Sequence, residues 1–222
     1  MIVLGLDTSL AACSAAITRD GETLAAISES MLRGHQERLA ILVQETVQAA
    51  GLAFTDVDRV GVTVGPGSFT GLRVGLAFAK GLGLALSKPC IGVGTLEALA
   101  ASDPGPGLTC AVIDGKRGQV YLQMFDGQAG GGGAALMAPD ALPLEIAAAR
   151  LAELWRGGPV RVTGPGAALL ADLSPEIVVI DRIAPDPAAI CRLAAVRPVA
   201  PARPLYLRAP DAKLPGGRDL AP

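Results

Sequence analysis

The chain has 222 residues and a formal net charge of -2, from 19 Lys and Arg against 21 Asp and Glu; half of it is hydrophobic but only 3% is aromatic. That length fits one domain or two small ones. The charge balance and the shortage of rings argue against a free-standing nucleic-acid binder, which normally carries a basic excess and stacking aromatics. His35 is the single His, which excludes most His-based metal sites, and Cys13, Cys90, Cys110 and Cys191 form no C-x-x-C pair, a scatter that argues against a disulfide framework. The four Cys read as buried thiols of a reducing cytosol.

The first elements read as strands. Residues 2–6 form a short apolar run ending in Asp7-Thr8-Ser9, and 11–18 alternate weakly. Arg19-Asp20-Gly21 signals a tight turn into a third strand over 22–28, so the opening is a meander of about three antiparallel strands. Over 36–50 the period becomes helical, through Leu39, Leu42, Val43, Thr46, Val47 and Ala50, and Gly51 is a natural stop. Val60, Val62 and Val64 alternate in a strand that runs into Gly65-Pro66-Gly67. Ser68 is then placed to cap a helix reaching about Leu86. A short strand at 90–93 precedes a helix over 96–101, which Thr95 is expected to cap.

Ser102-Asp103-Pro104-Gly105-Pro106-Gly107 is the clearest break, and it sets expected domains of 1–102 and 103–222. Beyond it come strands at 108–113, ending in Asp114, and at 119–125. A Gly-rich surface loop is expected at 127–133, a helix at 145–155, strands at 159–163 and 177–180, and a helix at 188–196. The Pro- and Arg-rich tail reads as extended or disordered. The halves echo each other: each opens with an apolar strand ending in Asp, turns back, and later carries G-P-G after a Val-rich strand.

Mean hydropathy is +0.44, so a membrane reading needs testing. The longest apolar stretch, 71–86, is interrupted by Arg73 and Lys80 and falls short of the roughly 18 to 20 residues of a span. The opening MIVLGLDTSL lacks a basic leader segment and reaches Asp7 early. The expectation is a cytoplasmic protein without a membrane role, its surplus apolar surface going to a core or a partner.

Several motifs admit two readings. Asp7-Thr8-Ser9 could face a phosphate and hold magnesium through water, or it could be an Asx turn closing a hairpin. Gly65 to Gly71 joins strand to helix, a place that suits anions, though without the Lys of a P-loop; the plain alternative is a tight turn with a cap. Gly71, Gly75, Ala79 and Gly83 recur every four residues, so one helix stripe is small enough for close approach. Its occupant is either the protein's own sheet and neighbouring helix, or a partner subunit. His35 lacks a second His at helical spacing and reads as a cap or hydrogen-bond donor. No nucleophile elbow is present. Asp7 and Asp114 could act as paired carboxylates, and the competing enzyme reading is a small ATPase or phosphotransferase built on them.

The segments LGLDTS, GHQERL at 34–39, VGPGSFTGLRVGLAFAKGL at 64–82, IGVGTLEALA at 91–100, DGKRGQVYLQ at 114–123, VTGPG at 162–166 and PLYLR at 204–208 resemble the TsaB (YeaZ) family over nearly the whole chain. GPGSFTGLR is the most specific of them. The resemblance implies an α/β fold with two ribonuclease-H-like lobes, as in sugar kinases, actin and heat-shock ATPases, with the second lobe reduced. It implies a non-catalytic partner of TsaD, the subunit that transfers threonylcarbamoyl to the adenosine beside the tRNA anticodon, with the ATPase TsaE joining the pair. TsaD binds metal through a His pair on the helix that follows His35 here; only His35 is present, so no metal site carries over. Gly115 and Lys116 depart from the family's typical Ala and Arg. The expected partner interface is Leu39, Leu42, Val43, Gly71, Gly75, Phe78, Ala79 and Gly83. Asp7, Thr8, Ser9, Gly65, Gly67 and Asp114 are the candidates for a vestigial nucleotide or anion site. No cofactor is expected, apart from a nucleotide that a shared interface could admit. tRNA is met only through the complex, and the isolated chain is a candidate for self-association.

Overall fold

The computed structural model describes residues 1–127, 133–174 and 176–208. The first sheet is built from β1 (Ile2–Asp7), β2 (Ala12–Arg19), β3 (Glu22–Ser30), β4 (Arg59–Thr63) and β5 (Cys90–Val93), in the order β3-β2-β1-β4-β5. The first three strands are the expected antiparallel meander, and Asp20 and Gly21 supply the positive φ of the β2–β3 turn. β4 and β5 run parallel to β1, and parallel neighbours require crossovers. The crossovers are α1 (His35–Ala49) and α2 (Phe69–Leu86); α3 (Thr95–Ser102) follows β5.

The second sheet repeats the plan with β6 (Gly107–Lys116), β7 (Gln119–Gly127), β8 (Ala134–Ala135), β9 (Asp140–Pro143), β10 (Val160–Thr163) and β11 (Ile177–Ile180). Its order is β11-β10-β6-β7-β8, with β9 also paired to β7. β6 and β7 form the hairpin, as β1 and β2 do, and β10 and β11 run parallel to β6 as β4 and β5 run to β1. α4 (Leu144–Leu154) covers the sheet near β7 and β9, and α5 (Pro187–Val196) closes the described order. The echo read in the sequence is therefore a duplicated sheet. Of the expected Gly-rich loop, 128–132 lie outside the described residues.

The lobes interlock through their helices. α3 leaves the first lobe and packs Leu96 and Leu99 against Ala111, Ile113 and Phe125 of the second. α5 returns to the first and packs Ile190, Cys191 and Ala194 on Val3 and Ala16. Gly5 and Gly61 admit it: a Cβ on Gly5 would stand 2.7 Å from Cys191 Sγ, and one on Gly61 2.8 Å from Ala194 Cβ. Burial pushes the Cys191 thiol up to about 12. β1 thus has helices on both faces, which is why it reads as an unbroken apolar run.

The break at 102–107 is held firmly. Arg161 of β10 donates to the carbonyls of Asp103 (3.0 Å) and Gly105 (2.5 Å) and to Thr109 Oγ1 (2.6 Å). Arg182 pairs with the Asp103 carboxylate, and the Asp186 amide donates to Ser102 Oγ (2.8 Å).

Two local expectations change. Gly94 occupies the cap position of α3 and Thr95 is its first helical residue, with Thr95 Oγ1 buried and unpartnered among the described residues. The tail is extended as expected, but 198–208 are pinned: Arg197 donates to Gly92 O (2.7 Å), Leu205 N to Val64 O (2.7 Å) and Arg208 to Gly115 O (2.9 Å). Arg218 lies outside the described residues.

α2 is long and apolar enough by composition to cross a membrane, with mean hydropathy 1.3 over 18 residues. Here it lies over β1, β4 and β5, with Gly71, Leu72, Gly75, Leu76, Ala79 and Gly83 buried.

Candidate functional site

The Asp7 turn sits at the carboxyl end of β1 and is sealed. Asp7, Thr8 and Ser9 are buried. Asp7 Oδ1 accepts from Ser9 N (3.0 Å), Ser9 Oγ (2.5 Å) and Thr63 Oγ1 (2.6 Å), while Oδ2 is buried with no partner among the described residues. The start of α2 roofs the turn. Ser68 N donates to Ser9 O (2.8 Å) and Thr8 Oγ1 to Gly71 O (2.7 Å). Cβ atoms on Gly67 and Gly71 would overlap the Ser9 and Thr8 carbonyl oxygens.

The expected anion site is therefore corrected. Its Asx-turn geometry is present, but the space a phosphate would need over Asp7, Thr8, Ser9, Gly65 and Gly67 is filled by the protein. Gly65 is buried, its α face against Leu205 O. Asp114 is half-buried on the other lobe and is tied to Lys116 through its amide (2.8 Å) and its ammonium (2.6 Å), which together hold its carboxyl below the usual carboxylate value. Asp7 is buried and Asp114 is half-buried and tied to Lys116, so the two do not form one open pair.

Burial lifts the Asp7 carboxyl above its ordinary value, against the opposing pull of the Ser9 and Thr63 donors and of His35. The unfolded chain then releases this proton at lower pH than the folded chain. Between the two values the folded state holds more protons, so stability falls as pH rises through that window. Relative to Asp7→Asn, the wild type is expected to lose stability from about pH 4 upward, by about 1.4 kcal/mol per unit of elevation. Urea unfolding of both proteins from pH 4 to 8 checks this, and a pH-independent difference refutes it.

His35 opens α1, and its Nε2 is buried and unpartnered among the described residues. Among the described residues no three His, Cys, Asp or Glu side chains gather as metal ligands.

The small-residue stripe faces inward, which corrects the interface expectation. A Cβ on Gly75 would stand 2.5 Å from Thr8 Oγ1, and one on Gly83 2.9 Å from Lys88 O. Ala79 is in the core with Leu39, Leu42 and Val43. Seven of the eight expected interface residues are thus buried in the chain's own core, and close approach serves its own β1–β2 turn. Phe78 is half-buried and lines a groove between α1 and α2 of about 510 Å³ with Gln36, Leu39, Phe69, Arg73 and Val74.

Sequence reading missed what frames this groove. Phe69 is 42% exposed, the Arg73 guanidinium lies 3.7 Å over its ring, and Tyr206 stacks on it at 5.4 Å and 40°. Phe69 and Arg73 at i and i+4 on a helix were a legible hint; Tyr206 arrives from the far end of the chain and could not be read.

Two sheets, each a hairpin followed by parallel strands, with helices exchanged between lobes, define the two-lobe α/β class of sugar kinases and actin-like proteins. A family model described as "TsaD: tRNA N6-adenosine threonylcarbamoyltransferase" matches residues 23–141, more than half of the chain. The chain is 39% identical over 124 residues to the tRNA threonylcarbamoyladenosine biosynthesis protein TsaB of Escherichia coli K12, a match covering 54% of this chain and only 53% of that relative. It is 36% identical to an uncharacterized protein of Mycobacterium tuberculosis H37Rv, over 95% of this chain and 93% of the other. The structure of YeaZ from Pseudomonas aeruginosa matches with a TM-score of 0.80 at 28% identity, covering 93% of this chain and 99% of that one. The chain belongs to this family, on its TsaB (YeaZ) branch.

Proposed function

We propose that this protein takes part in the biosynthesis of threonylcarbamoyladenosine on tRNA as a non-catalytic partner of a TsaD homologue. In this reading the groove between α1 and α2 docks the partner, TsaE joins the pair, and tRNA is met through the complex in the cytoplasm. The observation that carries it is the pairing of a sealed Asp7 turn with an open groove nearby. The Asp7 turn, on which the competing phosphotransferase reading depends, is packed shut, while an apolar groove rimmed by exposed Phe69 and Arg73 is left to solvent. The names of the relatives support the pathway, and the absence of an open carboxylate pair supports a supporting role over a phosphotransferase.

The test is direct. The purified chain, mixed with the TsaD homologue of its own organism, is expected to co-elute as a mixed complex with a dissociation constant of about 1 μM or tighter. Alone it is expected to turn over no ATP, and cells depleted of it are expected to lose the modified nucleoside. Turnover by the isolated chain, or failure of the two proteins to associate, refutes the reading.

A further inference from the structure

The groove has a built-in chemical preference set by the far end of the chain. Arg73 is exposed, and among the described residues no carboxylate pairs with it; its guanidinium carbon instead lies over the Phe69 ring, 3.7 Å from the ring centre. A guanidinium over a ring keeps N–H groups at its edge, where they fit a carboxylate. Phe69 is the first residue of α2 and is partly exposed, so its ring needs a support. Tyr206 supplies it. Main-chain contacts fix Tyr206 in turn: Leu205 N donates to Val64 O at 2.7 Å, and Leu205 O sits where a side chain on Gly65 would be. Two residues on, Arg208 anchors to Gly115 O of the other lobe.

We propose that the tail segment 204–208 is a positioning element for partner docking: Tyr206 props Phe69, Phe69 orients Arg73, and Arg73 receives a carboxylate of the partner. The occupant is a helix of the TsaD-type partner that places an apolar side chain between Val74 and Phe78 and an acidic residue beside Arg73. The helix form follows from the groove, which lies between two helices and runs from Phe69 to Phe78, about 14 Å or two to three helical turns. The acid follows from an arginine that no carboxylate among the described residues neutralises. Tyr206 acts only through Phe69 and Arg73 and need not touch the partner.

This inference rests on the partner reading above, and its failure is separable from that of the reading. Binding of the full-length chain to its TsaD homologue is measured by titration calorimetry at several salt concentrations, for the wild type, Arg73→Gln, Tyr206→Ala and Tyr206→Phe. Arg73→Gln is expected to weaken binding about tenfold and to flatten its salt dependence. Tyr206→Ala is expected to weaken it about three- to tenfold with the same flattening, and Tyr206→Phe, which keeps the ring, to bind like wild type. Thermal melts report whether each variant is folded; should Tyr206→Ala not fold, Arg73→Gln and Tyr206→Phe carry the test. A wild-type complex that Arg73→Gln leaves equally tight and equally salt-sensitive refutes the inference and leaves the partner reading intact. Loss of affinity without a change in salt dependence refutes the carboxylate. Absence of a wild-type complex refutes the partner reading itself.

Discussion

Gly71→Val is expected to destabilise the protein by at least about 3 kcal/mol, enough to lower its melting temperature by roughly 6 to 12 °C. The cause is contact between backbones. A Cβ at this position would overlap the Thr8 carbonyl oxygen, and the Gly71 carbonyl accepts the Thr8 hydroxyl at 2.7 Å, so any shift of α2 also breaks that bond. Neither side is the flexible end of a side chain, so neither can yield cheaply. Gly81 on the same helix is the contrast. It is exposed, and a Cβ there meets nothing within 4 Å. Gly81→Ala is therefore expected to stabilise by about 1 kcal/mol through helix propensity. Calorimetric melts of the two variants should move in opposite directions. A Gly71→Val protein that melts like wild type would mean that α2 does not lie on the Asp7 turn as described. The same packing warns that bulky residues at Gly75 or Gly83 test the fold before they test a partner.

Removal of the Arg161 guanidinium is the second large effect. Arg161→Met keeps the stem but leaves the carbonyls of Asp103 and Gly105 and the Thr109 hydroxyl without their donor, in a crowded place where a Cβ on Gly105 would collide with the guanidinium. Deserted acceptors of this kind cost about 2 to 4 kcal/mol in total. The loss should appear as a lower urea midpoint. It should also appear as faster protease cleavage within 103–107, because the segment between the lobes loses the clamp that holds it down. Equal cleavage rates for variant and wild type would show that Arg182 and Asp186 hold the segment without Arg161.

Much of the fold was written locally. The meander, the helical period over Leu39, Leu42 and Val43, the Ser68 cap and the Asp-ended first strand are short-range patterns, and each appears within a residue or two of its expected place, whereas the corresponding strand of the second lobe runs on past Asp114 to Lys116. Ser68 accepts from Gly71 N at 3.2 Å, as an N-cap should. Thr95 was misplaced by one residue because Thr suits both the cap and the first turn, and the chain settled it in favour of Gly94. The stripe of small residues on α2 was equally plain. A sequence says that one face of a helix is small, but it does not say what lies against that face. Here it is the chain's own β1–β2 turn, because the crossover from β4 lays α2 over the end of β1.

What the sequence determined by itself is the alphabet of elements, their duplication, the family, and a composition with one His, no C-x-x-C pair and no basic excess. Those are properties of composition, spacing and periodicity, which act over a few residues. Only the tertiary structure decided that Asp7 is sealed, that α3 and α5 trade lobes, and that Tyr206 comes to rest on Phe69. Each of these joins residues from distant parts of the chain. Such contacts are set by which apolar faces can be covered at once, a condition on the whole chain that no local pattern contains.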